Sequence, residues 1–491
     1  MKMYCTPARP GLTPIWIGHP SCIHVRRCAV RAWAVASDHD STELYDVAVI
    51  GGGAAGLTAA YFAAEAGASV VVMEKNREPG RKITISGGTR CNVLPQAFDS
   101  STDYFTESSP SALRAVFSQW SLSECTKWLS DKKGIGISLK LEEETGKLFP
   151  VSNSAVEVRD KLVESCIRKN VRIMKESAIT DLVESTSAPQ SDYGENFWIC
   201  HIASKDPIRA KRVILATGGL SFPKLGGSGI GYNLLQRLGH KIIPPYPALV
   251  PLLGKHPGGE QLPGISVQNA SAKIFNNARD GKYLKGYKKT RSKGRTAERR
   301  ALLLTHRGYS GPAILDISHD IVLALERGRS TPELKVNWMR DFESGDWEQI
   351  LSRKDPGGSQ SGRTGVASLL KGRGLPARLV DALCAEAQLP PGRNLSEMRK
   401  EERTRLVSLL TNCTLDITGH EGYGKAEVTG GGIPLEELDC KTMESRLHKG
   451  LHICGELCDV HGRIGGFNFW WAWVSGRSAG LAAGSLTNNI V

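Results

Sequence analysis

Four short segments have the residue types and spacing to hold an anion or another ligand close against backbone. The first is Gly51-Gly-Gly-Ala-Ala-Gly56, a G-x-G-x-x-G run, with Glu74 following 23 residues after Gly51. Gly51 allows a tight turn, Gly53 lets a pyrophosphate approach the backbone past Ala54 and Ala55, and Gly56 lets a helix pack closely on a sheet. The free N–H groups and positive end of that helix face the phosphates. The Glu74 carboxylate can accept hydrogen bonds from a ribose and argues against a 2′-phosphate there. This motif leaves FAD and NAD both open. The second segment is polar and glycine-rich: Arg81-Lys82, then Ser86-Gly-Gly-Thr-Arg-Cys-Asn92. The third is Ala216-Thr217-Gly218-Gly219, a small-residue turn against which a ligand can lie. The fourth is C-terminal: Gly455, Glu456 and Asp459, then Gly465-Gly466-Phe467-Asn468. A diglycine at a helix start presents N–H groups to an anion or electron-rich atom.

These segments need elements to position them. Val47 to Ile50 is an apolar run that predicts a buried strand, Leu57 to Ala66 a helix, and Ser69 to Met73 a second strand. Strand, glycine turn, helix, strand and acid make a βαβ unit. Ser111 to Lys132 and Val156 to Lys169 have helical spacing. Strands are expected near Val171 to Met174, Ile179 to Val183, Phe197 to Ser204 and Lys211 to Leu215. Gly226-Gly-Ser-Gly-Ile-Gly231 opens a helix, Tyr232 to Leu238, but no buried strand precedes it, so it is no second nicotinamide fold. Four prolines between Pro244 and Pro251 fit a crossing between domains. Beyond it, Ile265 to Phe275 and Ala301 to Thr305 suggest a β module over 246–335. Amphipathic helices at Leu375 to Ala387 and Ser396 to Leu410, the latter capped by Ser396, suggest a helical module over 336–418. The nucleotide domain is therefore read as discontinuous, 44–245 plus 419–485, with 246–418 inserted.

The 491 residues suffice for two or three domains. No stretch approaches 18 consecutive apolar residues, which excludes an ordinary transmembrane helix. Residues 1–37 are basic and acid-free, with Lys2, Arg9, Arg26, Arg27 and Arg31 supplying five of the net +13 charges. Such a leader predicts a transit peptide, with the chloroplast as the expected destination and the mitochondrion as the alternative. A second basic run, Lys282 to Arg300, carries nine Lys and Arg against Glu298. It is read as a solvated loop, with no nucleic-acid partner expected from it alone. Twelve cysteines are scattered, and the C-x-x-x-C spacing of Cys454 and Cys458 matches neither a zinc knuckle nor a redox pair. Reduced thiols and no metal are expected.

Taken together, these segments resemble the YhiN/BaiN-like flavoproteins, also labelled aminoacetone oxidase-like, over about residues 44 to 485. The matching blocks are GGGAAG at 51–56, EPGRKITISGGTRCN at 78–92, LFPVS at 148–152, ATGGLSFPKLGGSGIGY at 216–232, YPALVPL at 246–252, LLTHRGYSGPAIL at 303–315, AEVTGGG at 426–432 and ICGELCDVHGRIGGFN at 453–468. The resemblance implies an α/β fold of the two-dinucleotide-fold superfamily: a Rossmann-like FAD domain with inserted β-barrel-like and helical modules. It settles FAD over NAD. It implies that Gly51 to Gly56 hold the pyrophosphate, with Glu74 at the adenosine ribose, Ile179 near the adenine and Lys75 also against the cofactor. Arg81, Lys82, Ser86, Gly88, Arg90, Cys91 and Asn92 would pass beside the flavin, backed by Ala216, Thr217 and Gly218. Asp459 would bind the ribityl or pyrophosphate region, Gly466, Phe467 and Asn468 would cap the flavin N1–C2 edge, and Gly455, Glu456 and Gly465 would also touch the cofactor. The implied activity is FAD-dependent oxidoreduction of a small organic substrate through flavin N5, with NADH, NADPH or oxygen as the electron partner. The alternative is a flavin-containing RNA-associated or scaffold protein using the 282–300 run.

The chain departs from the family at Trp470, where a polar residue is usual, so a change of polarity is expected near the flavin edge. Cys91 is read as a packed small residue rather than a redox thiol. His306 and Arg307 fit a substrate-carboxylate site and a hydrogen-bonded turn equally. His461 reads as a solvated loop histidine or a proton donor. Of Trp470, Trp471 and Trp473, at least one belongs to the core. No residue is assigned a catalytic role.

Overall fold

The computed structural model describes residues 43–185, 197–259, 262–275, 300–352 and 363–485. The basic leader, nearly all of the 282–300 run and the loop 355–362 lie outside the described residues.

The apolar runs make a parallel sheet. Leu44–Ile50 pairs in parallel with Val70–Met73 on one side and Lys205–Leu215 on the other. Arg172–Met174 extends the sheet beyond Val70–Met73, and Leu451–Ile453 joins the end of Lys205–Leu215, again in parallel. Val47, Val49, Val72, Ile214 and Leu451 are fully buried, as continuous apolar strands covered on both faces must be. Phe197–Ile202 and Ile179–Ser185 add an antiparallel edge. The register brings four carboxyl ends level. Ile50 stands opposite Met73 and Leu215, and Leu215 opposite Ile453. The residues that follow are Gly51, Glu74, Ala216 and Cys454, so the segments singled out by type converge on one rim of the sheet. Ligands of open α/β sheets bind outside that rim.

Two helices lock this rim. Ala54–Glu65 follows the glycine turn, and Phe467–Ser485 ends the described chain. Gly476, Gly480 and Gly484 recur every four residues on one face of the latter. A Cβ at these positions would lie 2.6, 2.3 and 2.7 Å from the carbonyl oxygens of Ala55, Ala59 and Ala63. The two backbones touch because neither helix carries bulk there. The long helical stretch at Ser111 to Lys132 is two helices, Pro110–Phe117 and Leu122–Ser130; a capping box between Ser121 and Glu124 starts the second.

The insertion differs from its expected division. Leu252–Lys255, Ser266–Phe275, Arg300–Thr305, Gly308–Ser310, Glu333–Asn337 and Cys413–His420 form a closed barrel. Cys413–His420 pairs with both Leu252–Lys255 and Glu333–Asn337, so the barrel closes only after the helices have been traversed. The helices Ser344–Leu351, Val366–Gly372, Ala377–Glu386 and Lys400–Asn412 are an excursion from the barrel, not a module beside it. They share one core with it, around Trp338, Trp347, Leu370 and Leu410. The last helix starts four residues later than expected, because Glu402 accepts from Arg399 N (2.9 Å); Ser396 lies in a preceding turn capped by Asn394. The proline-rich crossing is a strand, Ile243–Ala248, paired antiparallel with Val428–Gly432. Its register breaks between Ile243 and Tyr246, where Pro244 and Pro245 have no N–H to give. Both passages between domain and insertion thus lie side by side.

Candidate flavin site

The rim encloses a cavity of about 560 Å³, within the range of small-molecule and cofactor sites. At its head Gly51 has φ +108°, and a Cβ there would lie 2.4 Å from Ala216 O. Only glycine lets these two strand ends approach so closely. Gly56 serves the same end from behind, since its Cβ would fall 1.9 Å from Gly51 O. Gly53 faces open space, with no atom within 4 Å of a Cβ. The helix it starts has no side-chain cap, so its first-turn N–H groups open on the cavity. Glu74 is buried and holds the turn's shape: it accepts from Gly52 N (2.9 Å) and from Asn76 N and Nδ2 (2.8 and 2.6 Å). Lys75, Arg81 and Ile179 line the cavity beside it.

Midway, four segments meet through Glu456. Its carboxylate pairs with Lys82 Nζ (2.7 Å), and accepts from Ser221 Oγ and Thr429 N (both 2.8 Å). Burial pushes Glu456 up, but Lys82 and these hydrogen bonds hold it below the ordinary range. Ala216, Thr217, Gly218 and Gly455 complete this stretch of wall.

At the far end Ser86, Gly88 and Asn92 face Gly465, Gly466 and Asn468 across the cavity. Gly466 has φ +92° and rests on the Leu94 backbone. The helical ladder begins with Trp470 N to Gly466 O (2.9 Å), leaving the N–H groups ahead of it without helical acceptors. Asn468 pins the loop: Oδ1 accepts from Gly462 N and Nδ2 donates to Gly462 O. Trp471 Nε1 donates to Gly455 O (2.9 Å), tying the helix to the middle of the cavity.

Five expected site residues do not line the cavity. Gly56 lies under the turn. Arg90 pairs with Glu142 (2.9 Å), and its guanidinium lies 4.1 Å from the Phe149 ring, which anchors the TRCN loop from outside. Cys91 is fully buried; burial pushes its thiol up to about 12, and Cys91 and Thr89 both hold left-handed backbone. Asp459 accepts from Glu107 N and Thr106 Oγ1, and burial pushes it up to about 7. Phe467 turns away to Tyr104.

Trp470, expected near the ring edge, packs among Phe98, Phe117 and Trp120 instead. Its surroundings are aromatic core, so the expected change of polarity does not fall at the cavity. Trp471 is the one that borders the cavity, and Trp473 donates to Val93 O. His306 and Arg307 sit exposed on a barrel hairpin away from the cavity. His461 is not a solvated loop residue. It is buried against Tyr246 and His319, and burial lowers it to about 3, so it stays neutral.

The structure adds residues that spacing alone did not flag: Asn76, Ser177, Ser221, Phe222, Glu427, Arg463, Ile464 and Phe469 all line the cavity. Ser221, Phe222, Glu427, Arg463 and Ile464 fall inside the resemblance blocks, but nothing local marks them as site residues. Arg463 bridges Asp103 and Asp316, tying the diglycine loop to the insertion.

An uncapped helix at each end, an open glycine between strands and a carboxylate at the second strand fit a flavin dinucleotide laid along the rim. A model described as HI0933-like protein Rossmann domain matches residues 45–482. The chain belongs to the HI0933-like family. Its members are FAD-dependent oxidoreductases. Among relatives, the chain is 32% identical to the ribosomal RNA dihydrouridine synthase of Escherichia coli over 442 residues, 88% of this chain and 96% of that protein. It is 29% identical to the 3-dehydro-bile acid delta(4,6)-reductase of Clostridium scindens, over 89% of this chain and 98% of that protein. Among solved structures it is similar to a 3-ketosteroid-delta4-(5alpha)-dehydrogenase from Rhodococcus jostii RHA1, with 16% identity, TM-score 0.44, and coverage of 90% and 98%.

Proposed function

We propose that this HI0933-like protein reduces a C=C bond conjugated to a carbonyl, and that its substrate is a uracil base within RNA. The observation that carries this reading is the end-to-end match to a ribosomal RNA dihydrouridine synthase, 96% of whose length is covered. The bile acid relative's name denotes the same class of chemistry, saturation of a ring C=C bond. An RNA substrate replaces the expectation of no nucleic-acid partner, which rested on one basic run.

The cavity suits such a reaction. Bound FAD supplies the hydride chemistry of its N5. The chain supplies the rest. First-turn N–H groups of Ala54–Glu65 hold negative charge at one end, and those ahead of Trp470 hold it at the other. The Lys82–Glu456–Ser221–Thr429 network fixes the middle of the cavity. Ile85, Gly87 and Gly88 are exposed at its mouth and leave room for a flat ring. A base in a helix must be swung out to reach such a cavity. NADH or NADPH serves as the electron donor in this reading.

The test is direct. Purified holoprotein, reduced anaerobically, is mixed with unmodified ribosomal RNA, and nucleosides are read by mass spectrometry. Dihydrouridine above the no-enzyme control is expected. Flavin that stays reduced with RNA, yet is reoxidised by an enone steroid, would replace RNA by a small-molecule substrate.

A further inference from the structure

Ten non-glycine residues among those described hold left-handed backbone, and Phe222 is the one of them that lines the cavity. Its φ is +52° and its ψ +64°. A bulky side chain is strained there, and the Pro223 that follows disfavours helical backbone at Phe222 further. Burial does not offset this strain. Leu249 and Met443 carry the same left-handed backbone but are buried in the apolar cores. Phe222 is half-buried and belongs to none of those cores.

The strained backbone is held on both sides. Phe222 N donates to Tyr423 O (3.0 Å), and Leu225 N donates to Phe222 O (2.8 Å). One residue earlier, Ser221 N donates to Thr429 Oγ1 (3.1 Å) and Ser221 Oγ to Glu456 (2.8 Å). Tyr423 belongs to the passage by which the chain returns from the barrel strand Cys413–His420 to Val428–Gly432. The backbone of Phe222 is therefore fixed where that passage meets the cavity. Strain that persists because its surroundings over-determine it points to a use of the residue beyond folding. Lys224 and Lys425 are exposed on the two segments that the Phe222–Tyr423 bond joins.

Resting on the reading as a uracil reductase acting on RNA, we propose that Phe222 is the face on which the swung-out base stacks while it is reduced. Aromatic side chains hold unpaired bases in this way, because every base has a π face. A ring on fixed backbone loses little freedom when the base arrives. The two lysines add positive charge of the kind that holds RNA phosphates. Phe222 binds and orients the base and takes no part in the transfer itself.

The test compares holo wild type with Phe222→Gly, Phe222→Leu and Phe222→Tyr. Glycine accepts left-handed backbone without strain, so Phe222→Gly should melt at or above the wild-type temperature. Leucine keeps the strain and the apolar bulk but has no π face, so Phe222→Leu should melt close to wild type. With pre-reduced enzyme and ribosomal RNA, the second-order rate of dihydrouridine formation per bound flavin should fall about tenfold or more in both. Phe222→Tyr should keep most of the wild-type rate. An active wild type matched in rate by Phe222→Leu, or a Phe222→Gly that melts well below wild type, makes the ring a packing residue and overturns the stacking face alone. Flavin lost from Phe222→Leu, with the rate per bound flavin unchanged, also overturns it, by placing the ring against the cofactor. A wild type inert toward RNA defeats the uracil reading and this proposal with it.

Discussion

Gly480→Ala sets two physical effects of opposite sign against each other. Glycine in a helix interior costs about 1 kcal/mol relative to alanine, so helix propensity alone predicts that the substitution stabilises by that amount. Packing predicts the reverse. The new Cβ would lie 2.3 Å from Ala59 O and 3.0 Å from Ala59 Cα, both backbone atoms of the facing helix. Neither can rotate away, so the helices must separate by about 1 Å. Gly476 and Gly484 hold the same contact one turn to either side and resist that movement. Overpacking of a close-packed interior costs about 1–3 kcal/mol, and a backbone-on-backbone clash belongs at the top of that range or above it. The net expectation is destabilisation of about 2 kcal/mol. Separation also moves the start of Ala54–Glu65, so bound flavin should fall with stability. The assay is denaturant unfolding together with the flavin-to-protein absorbance ratio after purification. Gly372→Ala is the control, since no atom lies within 4 Å of its Cβ and it sits in a helix; it should be neutral or slightly stabilising. A Gly480→Ala protein more stable than wild type, with full flavin, would refute the packing argument.

Three further expectations follow from individual groups. Asp459 has its folded pKa raised from 3.8 to about 7, so its favourable contribution is present at low pH and is lost as pH rises through about 7. Asp459→Asn should therefore gain on wild type as pH rises from about 4 to about 7, by up to about 4 kcal/mol in unfolding free energy, and keep that gain at higher pH; a pH-independent difference would contradict it. Glu74→Ala removes the acceptor of Gly52 N, and a hydrogen bond to a charged group is worth about 1.5–3 kcal/mol. FAD affinity, measured by reconstituting apoprotein, should weaken about tenfold or more, and unchanged affinity would show that the turn holds its shape without the carboxylate. Burial raises Cys91, Cys200 and Cys454 to about 12, so these thiols should resist iodoacetamide near neutral pH until denaturant is added. Peptide mapping that finds Cys91 alkylated in native protein would count against the packed reading of TRCN.

What the residues disclosed by themselves was the local chemistry of the backbone. Gly51, Gly53 and Gly56 announce a phosphate turn because strand, turn and helix lie within one stretch, and the constraints on each glycine are set by neighbours close in the chain. The same holds for the diglycine before Phe467, and for the buried strands, whose apolar runs need no partner to be recognised. The resemblance added the cofactor and the relation between the two ends of the chain. Tertiary structure decided everything that depends on partners distant in sequence. Trp470 looked like a flavin neighbour until Phe98, Phe117 and Trp120 closed around it. His461 looked solvated until Tyr246 and His319 buried it. Asp459 is occupied by Thr106 and Glu107, more than 350 residues away. The barrel closes with a strand beyond its helices, a pairing with no local signature. Hydrogen bonds and burial are set by what folds against a side chain, and sequence spacing fixes such neighbours only within a turn or a strand.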